Sequence, residues 1–572
     1  MAKLQADSRF SLAPSLGNVP RSRFVRDQKT VTSFNVGDCI PFYCDEVLPG
    51  DNFSVDTSKV VRLQTLLTPI FDDIYLDTYY FYVPSRLTWT HWKEFMGENN
   101  ESAWIPQTEY SVPQITAPSG GWNVGTIADY FGIPTGVSNI SVSALPFRAL
   151  ALIMNYFFRD ENLTDPLNIP LGDSNQTGSN GSSYVNDVAN GGMPFKAAKF
   201  HDYFTSCLPS PQKGPSVNIT LAGLSQSTAP VYGNGYPLQL SVGSNTTRAV
   251  LAGTAGSNWQ LYPDDAAGLP NAATITGTPD GSSILPSTGI GKYVGVAIKT
   301  QSTGAGKAGL VADLGAVSGE SIISLTELRS AFAIQQFYEA MARGGSRYSE
   351  ILRSQFKVTS PDARLQNPEY LGGNRIALNI SQSVQNSETN VTPQGNVAGY
   401  SVTADSHSDF THSFVEHGYV IGVMVARYKH TYQQGIERFW SRKTKFQYYW
   451  PLLNGLSEQP VYNKELYAQG TSADDQVFGY QENYADYRYK PNKVTGEMRS
   501  SYAQSLDVWH LGDDYNSLPA LSDSWIREDE TTVDRVIAVS SRVSHQLMAD
   551  IYVRNVSTRS MPVYSIPGLT RM

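Results

Sequence analysis

The run Tyr419-Val420-Ile421-Gly422-Val423-Met424-Val425 constrains the chain more than any other stretch. It is apolar and β-branched, and it is bounded by charge and glycine, as in a strand buried on both faces. It is far shorter than the roughly 20 apolar residues that cross a bilayer. A strand covered on both sides needs layers above and below it, so the chain is expected to build a stacked β architecture around this segment. The run exits into Arg427, Lys429, His430, Arg438, Arg442, Lys443 and Lys445, a basic and aromatic-rich continuation with no catalytic pattern.

Composition supports the all-β reading. Charged residues make up only 17% of the 572 residues, while Tyr (33), Phe (23), Gly (47) and Pro (32) are plentiful, which supplies strands and turns. Length alone would suggest about three or four domains; long insertions in one large β-protein are the better expectation. Low charge with many aromatics also suits a surface covered by partner subunits. A net charge of −9 argues against a surface that binds nucleic acid throughout, but leaves room for a local basic face. Cys39, Cys44 and Cys207 form neither a disulfide framework nor a zinc pattern, which points to a reducing compartment. No apolar leader or membrane span is apparent, so no membrane insertion is expected.

In chain order, residues 1–30 carry Lys3, Arg9, Arg21, Arg23, Arg26 and Lys29 against Asp7 and Asp27, a local balance of +6 and −2. This is either a solvated tail or an arm that meets phosphates. Strands are expected over 31–43 and 73–84. In the second, Ile74, Leu76, Thr78, Tyr80 and Tyr82 lie on one face and Tyr75, Asp77, Tyr79, Phe81 and Val83 on the other. Short helices are expected near Trp89–Met96 and over 144–160, where Leu145, Arg148, Ala149, Leu152, Tyr156 and Arg159 keep helical spacing. Residues 171–193 read as a mobile loop.

The block 215–320 stands apart, with 17 Gly and nine charged residues in 106 positions. It reads as an insertion with short strands (Val231–Tyr232, Leu238–Leu240, Tyr293–Ile298), or as a disordered linker. A helix follows Ser324, which has capping-box spacing to Glu327 and the stripe Leu328, Ala331, Ile334, Phe337, Tyr338 and Met341. Residues 346–375 are expected to be irregular with a second short helix. Strands are expected at 413–428, Val533–Ser540 and Gln546–Val556. The organisation is thus an arm (1–30), a body in two parts (31–214 and 321–572) and an insertion (215–320).

No catalytic, cofactor or metal constellation emerges. His412 and His417, with Glu416, lack the spacing of a metalloprotease helix. Asp513–Asp514 and Asp264–Asp265 have the chemistry to ligate a cation, but adjacent acids are common in loops, and Cys39 and Cys44 read as buried thiols. Aromatics interleaved with cations recur over 428–449 and 477–493. Tyr480, Tyr484, Tyr487 and Tyr489 beside Arg488 and Lys490 fit base stacking or, as the preferred reading, subunit contacts.

Several blocks together carry a resemblance: RSRFVRDQKTVTSFNVGDCIPF (21–42), ARGGSRYSEILRSQF and SPDARLQNPEYLGG (within 342–373), EHGYVIGVMVARYKHTYQQGIERFWSR (416–442) and VFGYQENYADYRYKPNKVTGEMRS (477–500). In this order the chain resembles the major capsid proteins of the gokushoviruses, tailless Microviridae phages with circular single-stranded DNA. The resemblance implies a mainly β fold, an eight-stranded antiparallel jelly roll of the viral capsid type with long inter-strand insertions and a few short helices. It implies a structural role without cofactors: a T=1 shell of sixty copies formed through pentamers, in the virion, assembled in the bacterial host cytoplasm. The partners implied are the single-stranded genome on the inner face, minor structural and small basic DNA-binding proteins, and a host surface receptor. The block 215–320 matches least; the resemblance makes it a variable protrusion at the threefold axes that contributes to host attachment. Arg9, Arg21, Arg23, Arg26 and Lys29 become the candidate nucleic-acid contacts. The competing reading is a lectin-like β-protein with Trp122 and Trp259 as glycan platforms; a DNA-binding regulator lacks a recognition helix.

Overall fold

The computed structural model describes residues 20–99, 108–215 except 182, residue 217, the strand segments 228–230, 239–242, 245–252, 260–263, 273–274 and 311–313, and residues 325–564 except 346 and 392. The chain divides into two compact units, Met1–Pro215 with Gln336–Met572, and Ser216–Gln335.

Eight long strands define the first unit: β1 (Ser22–Phe34), β2 (Asp38–Val47), β3 (Asn52–Leu63), β4 (Ile74–Pro84), β5 (Glu369–Ala377), β6 (Thr403–Ser413), β7 (Gly418–Tyr428) and β8 (Leu547–Arg559). They pair antiparallel in two sheets. Sheet one has the order β1-β8-β3-β6; sheet two has β5-β4-β7-β2, with the two-residue strand Phe195–Lys196 added beside β2. Apart from β4 and β5, strands adjacent along the chain lie in different sheets, so the chain winds back and forth between two four-stranded layers. That winding is the jelly roll. The first strand and the last are neighbours, in register from Ser22 opposite Arg559 to Phe34 opposite Leu547.

Period-two alternation builds the space between the sheets. From sheet one, Phe53, Val55, Val61, Ile551 and Val553 point inward; from sheet two, Ile40, Phe42, Leu76, Tyr80, Val420 and Met424 meet them. The opposite face of sheet two is covered as well. Ile421, Val423, Val425, Phe81, Val83 and Cys39 pack against the helix α1 (Leu145–Ile153) and the segment around Trp122. This double cover is why β7 is apolar at nearly every position. At Gly422 a Cβ would come within 2.9 Å of the Phe42 ring and 3.0 Å of Tyr43, so a side chain does not fit where β7 crosses β2.

Several local expectations need correction. The stretch 31–43 is not one strand. It breaks at Gly37 (φ 86°), where the chain leaves sheet one and enters sheet two. A Cβ there would also meet Glu528 at 2.9 Å. Residues 22–30 are no tail, because the backbone of β1 is paired along its whole length with β8, a partner over 500 residues away that local pattern cannot reveal. Residues 171–193 are packed rather than mobile: Trp89 Nε1 donates to Asp173 at 2.7 Å, Arg148 Nη2 donates to the Gly172 carbonyl at 3.0 Å, and Asp187, Val188 and Ala189 are buried. Val533–Ser540 is not a strand. Thr531–Asp534 is one helical turn, and Val533, Val536 and Ile537 enter the sandwich core from irregular backbone, which imitates a strand's apolar pattern.

The helix after Ser324 is α2 (Leu325–Gly344), followed by α3 (Tyr348–Phe356). The second unit contains short antiparallel pairings. Gln239–Val242 pairs with Asn245–Ala252, which pairs with Gln260–Pro263, and Val311–Asp313 pairs with Thr228–Pro230. Val231–Tyr232 and Tyr293–Ile298 lie outside the described residues.

Candidate assembly and nucleic-acid surfaces

The basic residues near the N-terminus divide by strand geometry. Arg9 lies outside the described residues. Arg21 donates to the Gly50 carbonyl. Arg26 is half-buried: its Nη1 donates to Asp45 Oδ1 at 2.8 Å, its Nε to Ser557 Oγ at 3.1 Å, and its guanidinium lies 5.2 Å from the Phe53 ring centre. Asp45 also accepts from Tyr43 Oη (2.9 Å) and Asn555 Nδ2 (3.1 Å). Arg26 therefore ties β1, β2 and β8 together. Arg23 and Lys29 sit on the open outer face of sheet one, with Lys29 Nζ 3.0 Å from Asp550.

Folding changes the charge of that face. Register places Asp27 and Asp56 on either side of Arg554, and Asp550 and Arg62 fall on the same side. Arg23, Lys29, Arg62 and Arg554 then face Asp27, Asp56 and Asp550, +4 against −3, so the basic stretch of the sequence becomes a mixed-charge sheet face.

The cations that follow β7 are largely consumed inside the fold. Arg427 Nη2 donates to Asp77 Oδ2 at 2.6 Å, Arg375 Nη2 donates to the same oxygen at 2.9 Å, and both guanidiniums stack over Phe200, at 4.3 and 4.7 Å. Burial raises the Asp77 pKa; the hydrogen bonds from Arg375 and Arg427 outweigh it and hold the carboxyl below its usual range. One carboxylate thus joins β4, β5 and β7.

His430 is buried between Asp513 (Nδ1 to Oδ1, 2.9 Å) and Glu528 (Nε2 to Oε1, 3.0 Å). Burial alone would lower its pKa. The two carboxylates outweigh that and raise it to about 9, while His430 in turn pulls Asp513, which burial pushes up, down to about 2. Asp513 is therefore an ion-pair partner rather than a loop acid.

His412 packs on Phe414 and His417 on Trp92, in β6 and in the turn before β7. Cys39 and Cys207 are buried and Cys44 is half-buried; all three thiols are free, and burial pushes each pKa up. Trp122 is fully buried against Phe147, so it offers no glycan platform. Trp259 and Asp264–Asp265 lie outside the described residues. Tyr484 is buried, and Tyr489 stacks on Tyr203 with centres 5.0 Å apart, within a third core cluster. Tyr484 and Tyr489 thus take part in packing within the subunit, while Tyr480 is half-buried and Tyr487 stays exposed.

What remains open is the segment 436–456, three 3₁₀ turns with little chain above them. Trp440 (71% exposed), Phe446 (64%) and Leu452 (92%) project from it, with Tyr448, Trp450 and Leu456 also exposed. A contiguous exposed aromatic segment is the mark of an interaction surface. Among the described residues there is no cluster of His, Cys, Asp and Glu able to hold a metal, and no helix long and apolar enough to cross a membrane.

A two-sheet jelly roll whose ionic clusters are structural and whose open surface is aromatic defines a class, the viral coat subunit. The chain belongs to the phage capsid protein (F protein) family, whose model matches residues 15–569. It is 42% identical to capsid protein VP1 of Spiroplasma virus 4 over 97% of this chain and 96% of that one. It is 39% identical to capsid protein VP1 of Chlamydia phage 1 (99% and 98%) and 38% to that of Bdellovibrio phage phiMH2K (98% and 97%). The protein is a structural capsid component of the Microviridae type, not an enzyme, and its place is the virion.

Proposed function

We propose that the chain closes into a T=1 shell of sixty copies, through pentamers, around a circular single-stranded DNA genome. The observation that carries this is a rigid tile with both faces of sheet two covered and the aromatic segment 436–456 left open. Closed symmetry repeats each modest contact many times, so no single one needs to be strong. Cryo-electron microscopy of particles purified from expressing cells tests it. Closed icosahedral shells are expected; monomers that stay monomeric with and without DNA would overturn it.

The block 215–320 is proposed to form the threefold protrusion and to meet the host receptor, on the strength of its low charge and high glycine content. Exchanging it with a relative's block should move adsorption to the relative's host, and unchanged adsorption would count against it. For DNA, Arg23 and Lys29 are proposed to meet phosphates together with Arg9, while Arg21 and Arg26 hold the strand in place. A chain of net charge −9 leaves most neutralisation to minor and small basic proteins of the particle. Assembly is proposed to occur in the host cytoplasm, which three free cysteines suit.

A further inference from the structure

Beside the aromatic segment lies a cavity of about 520 Å³, in the size range of small-molecule sites. Its wall combines two features. The first is aromatic surface. Phe439 and Trp440 lie with ring centres 4.6 Å apart, and Trp440 and Tyr487 are exposed. The second is uncompensated positive charge. Six cations and three carboxylates line the cavity, +6 and −3, and counting Glu482, which takes Arg488, still leaves +2.

The pairing pattern shows where that charge is free. Arg438 is held by Glu465 at 3.0 Å and Arg442 by Asp486. Lys490 and Lys493 instead share one carboxylate, Glu437, while their side chains remain 73% and 53% exposed. One lysine charge of the two is therefore unmatched at the cavity. Arg442 adds an independent observation: its side chain is more than nine-tenths buried, yet its Nε has no hydrogen-bond partner. A buried unpaired donor is costly, and this one lies within the cavity wall beside the lysines.

We propose that this cavity is a nucleotide-binding site for single-stranded nucleic acid, with a base against Trp440 and Phe439 and its phosphates on Lys490 and Lys493. The inference rests on the reading that the shell encloses single-stranded DNA, and it adds the place where the strand is held. Aromatic platforms beside unmatched cations are how unpaired strands are bound without sequence preference, because every base has a face and every phosphate a charge. An acidic peptide would use the lysines but leave the indole without a partner.

The test uses the purified full-length chain and a labelled oligo-dT of about twelve residues. Binding is measured by fluorescence anisotropy against salt, for the wild type, for Lys490→Gln with Lys493→Gln, and for Trp440→Leu. The lysine pair is expected to weaken binding at least tenfold and to lower the slope of log K against log salt by roughly 1.4, two phosphate contacts' worth. Trp440→Leu is expected to weaken it by about five- to a hundredfold at unchanged slope. Wild-type affinity in both variants would overturn the site. So would free dTMP binding as tightly as the oligomer, which would make it a mononucleotide pocket, or poly-glutamate competing equally, which would make it a peptide dock. Shell formation is scored in parallel by electron microscopy. Variants that assemble yet bind DNA normally refute the site alone, whereas a wild type that forms no shells refutes the capsid geometry beneath it.

Discussion

Asp77 is the residue at which the sandwich is most exposed to a single change. Its carboxylate pairs with Arg375 and Arg427 at once, and its side chain is almost fully buried. Replacing Asp77 by Ala leaves the largely buried Arg427 without its carboxylate, while the half-exposed Arg375 is solvated by water, which places the cost at the lower end of the about 3–5 kcal/mol for breaking a buried pair. Denaturant unfolding of Asp77→Ala is expected to show a loss of that order, and a loss below about 1 kcal/mol would mean that water replaces the carboxylate. The charge in the middle of DIYLDTYYFYV was legible; that it would be paired by residues almost 300 and 350 positions later was not. Lys59 hid β3 in the same way. It lies on the inward face of its strand, paired with Asp405 at 2.9 Å, so an alternation that should read apolar-polar is interrupted by a buried cation. At this scale, polar residues inside the core are what separates pattern from structure.

At the scale of elements, the segment after β7 is fastened by His430 to residues near the end of the chain. The sign of its pH dependence follows from the geometry. His430 titrates near 6.5 unfolded and about 9 folded, so its contribution is fully present below about pH 6.5 and is lost as pH rises towards 9. Asp513, lowered to about 2, contributes above its unfolded value of about 3.9 and loses that contribution as pH falls. Stability is therefore expected to peak between about pH 4 and 6.5. Thermal melts of His430→Gln should lie well below wild type at pH 6 and converge with it towards pH 9; a constant gap would exclude titration of His430 as the cause. The alternating strand β4 and the continuously apolar strand β7 were readable from sequence, as were α1 and the last strand. β5 and β6 were not. β6, TADSHSDFTHS, carries almost no apolar residue and is bulged at Asp409, and it is a strand because β3 supplies its backbone partners.

At the scale of the whole molecule, one set of aromatics is spent on folding and another is left exposed. Trp89, Trp122, Tyr80 and Phe147 are spent inside the subunit. Phe446 and Leu452 are not, and their replacement tests which surface joins copies. Phe446→Glu with Leu452→Glu is expected to leave the melting temperature of the subunit within a few degrees of wild type and to abolish shells in light scattering and electron microscopy. Intact shells would move the subunit contact elsewhere. The capsid class was legible because its signature is spread over the whole chain: low charge, many aromatics and ordered blocks from residue 21 to residue 500. The charge balance of the first strand's open face was not, because charge read along the chain ignores the strand that folding lays beside it. β8 brings Asp550 and Arg554 to the basic residues of β1 and changes the meaning of both.

The pairing of the first strand with the last also sets a clock. β8 occupies the middle of sheet one, so β1 and β3 have no partner between them until residues 547–559 have left the ribosome. At bacterial elongation rates of about 5–20 residues per second, that interval lasts from roughly half a minute to two minutes. During it, two unpaired strand edges are open to any neighbouring nascent chain. Until then sheet one lacks the strand that joins its two halves, and the tile does not exist as a closed sandwich. The fold itself makes the emergence of β8 the checkpoint for a finished tile.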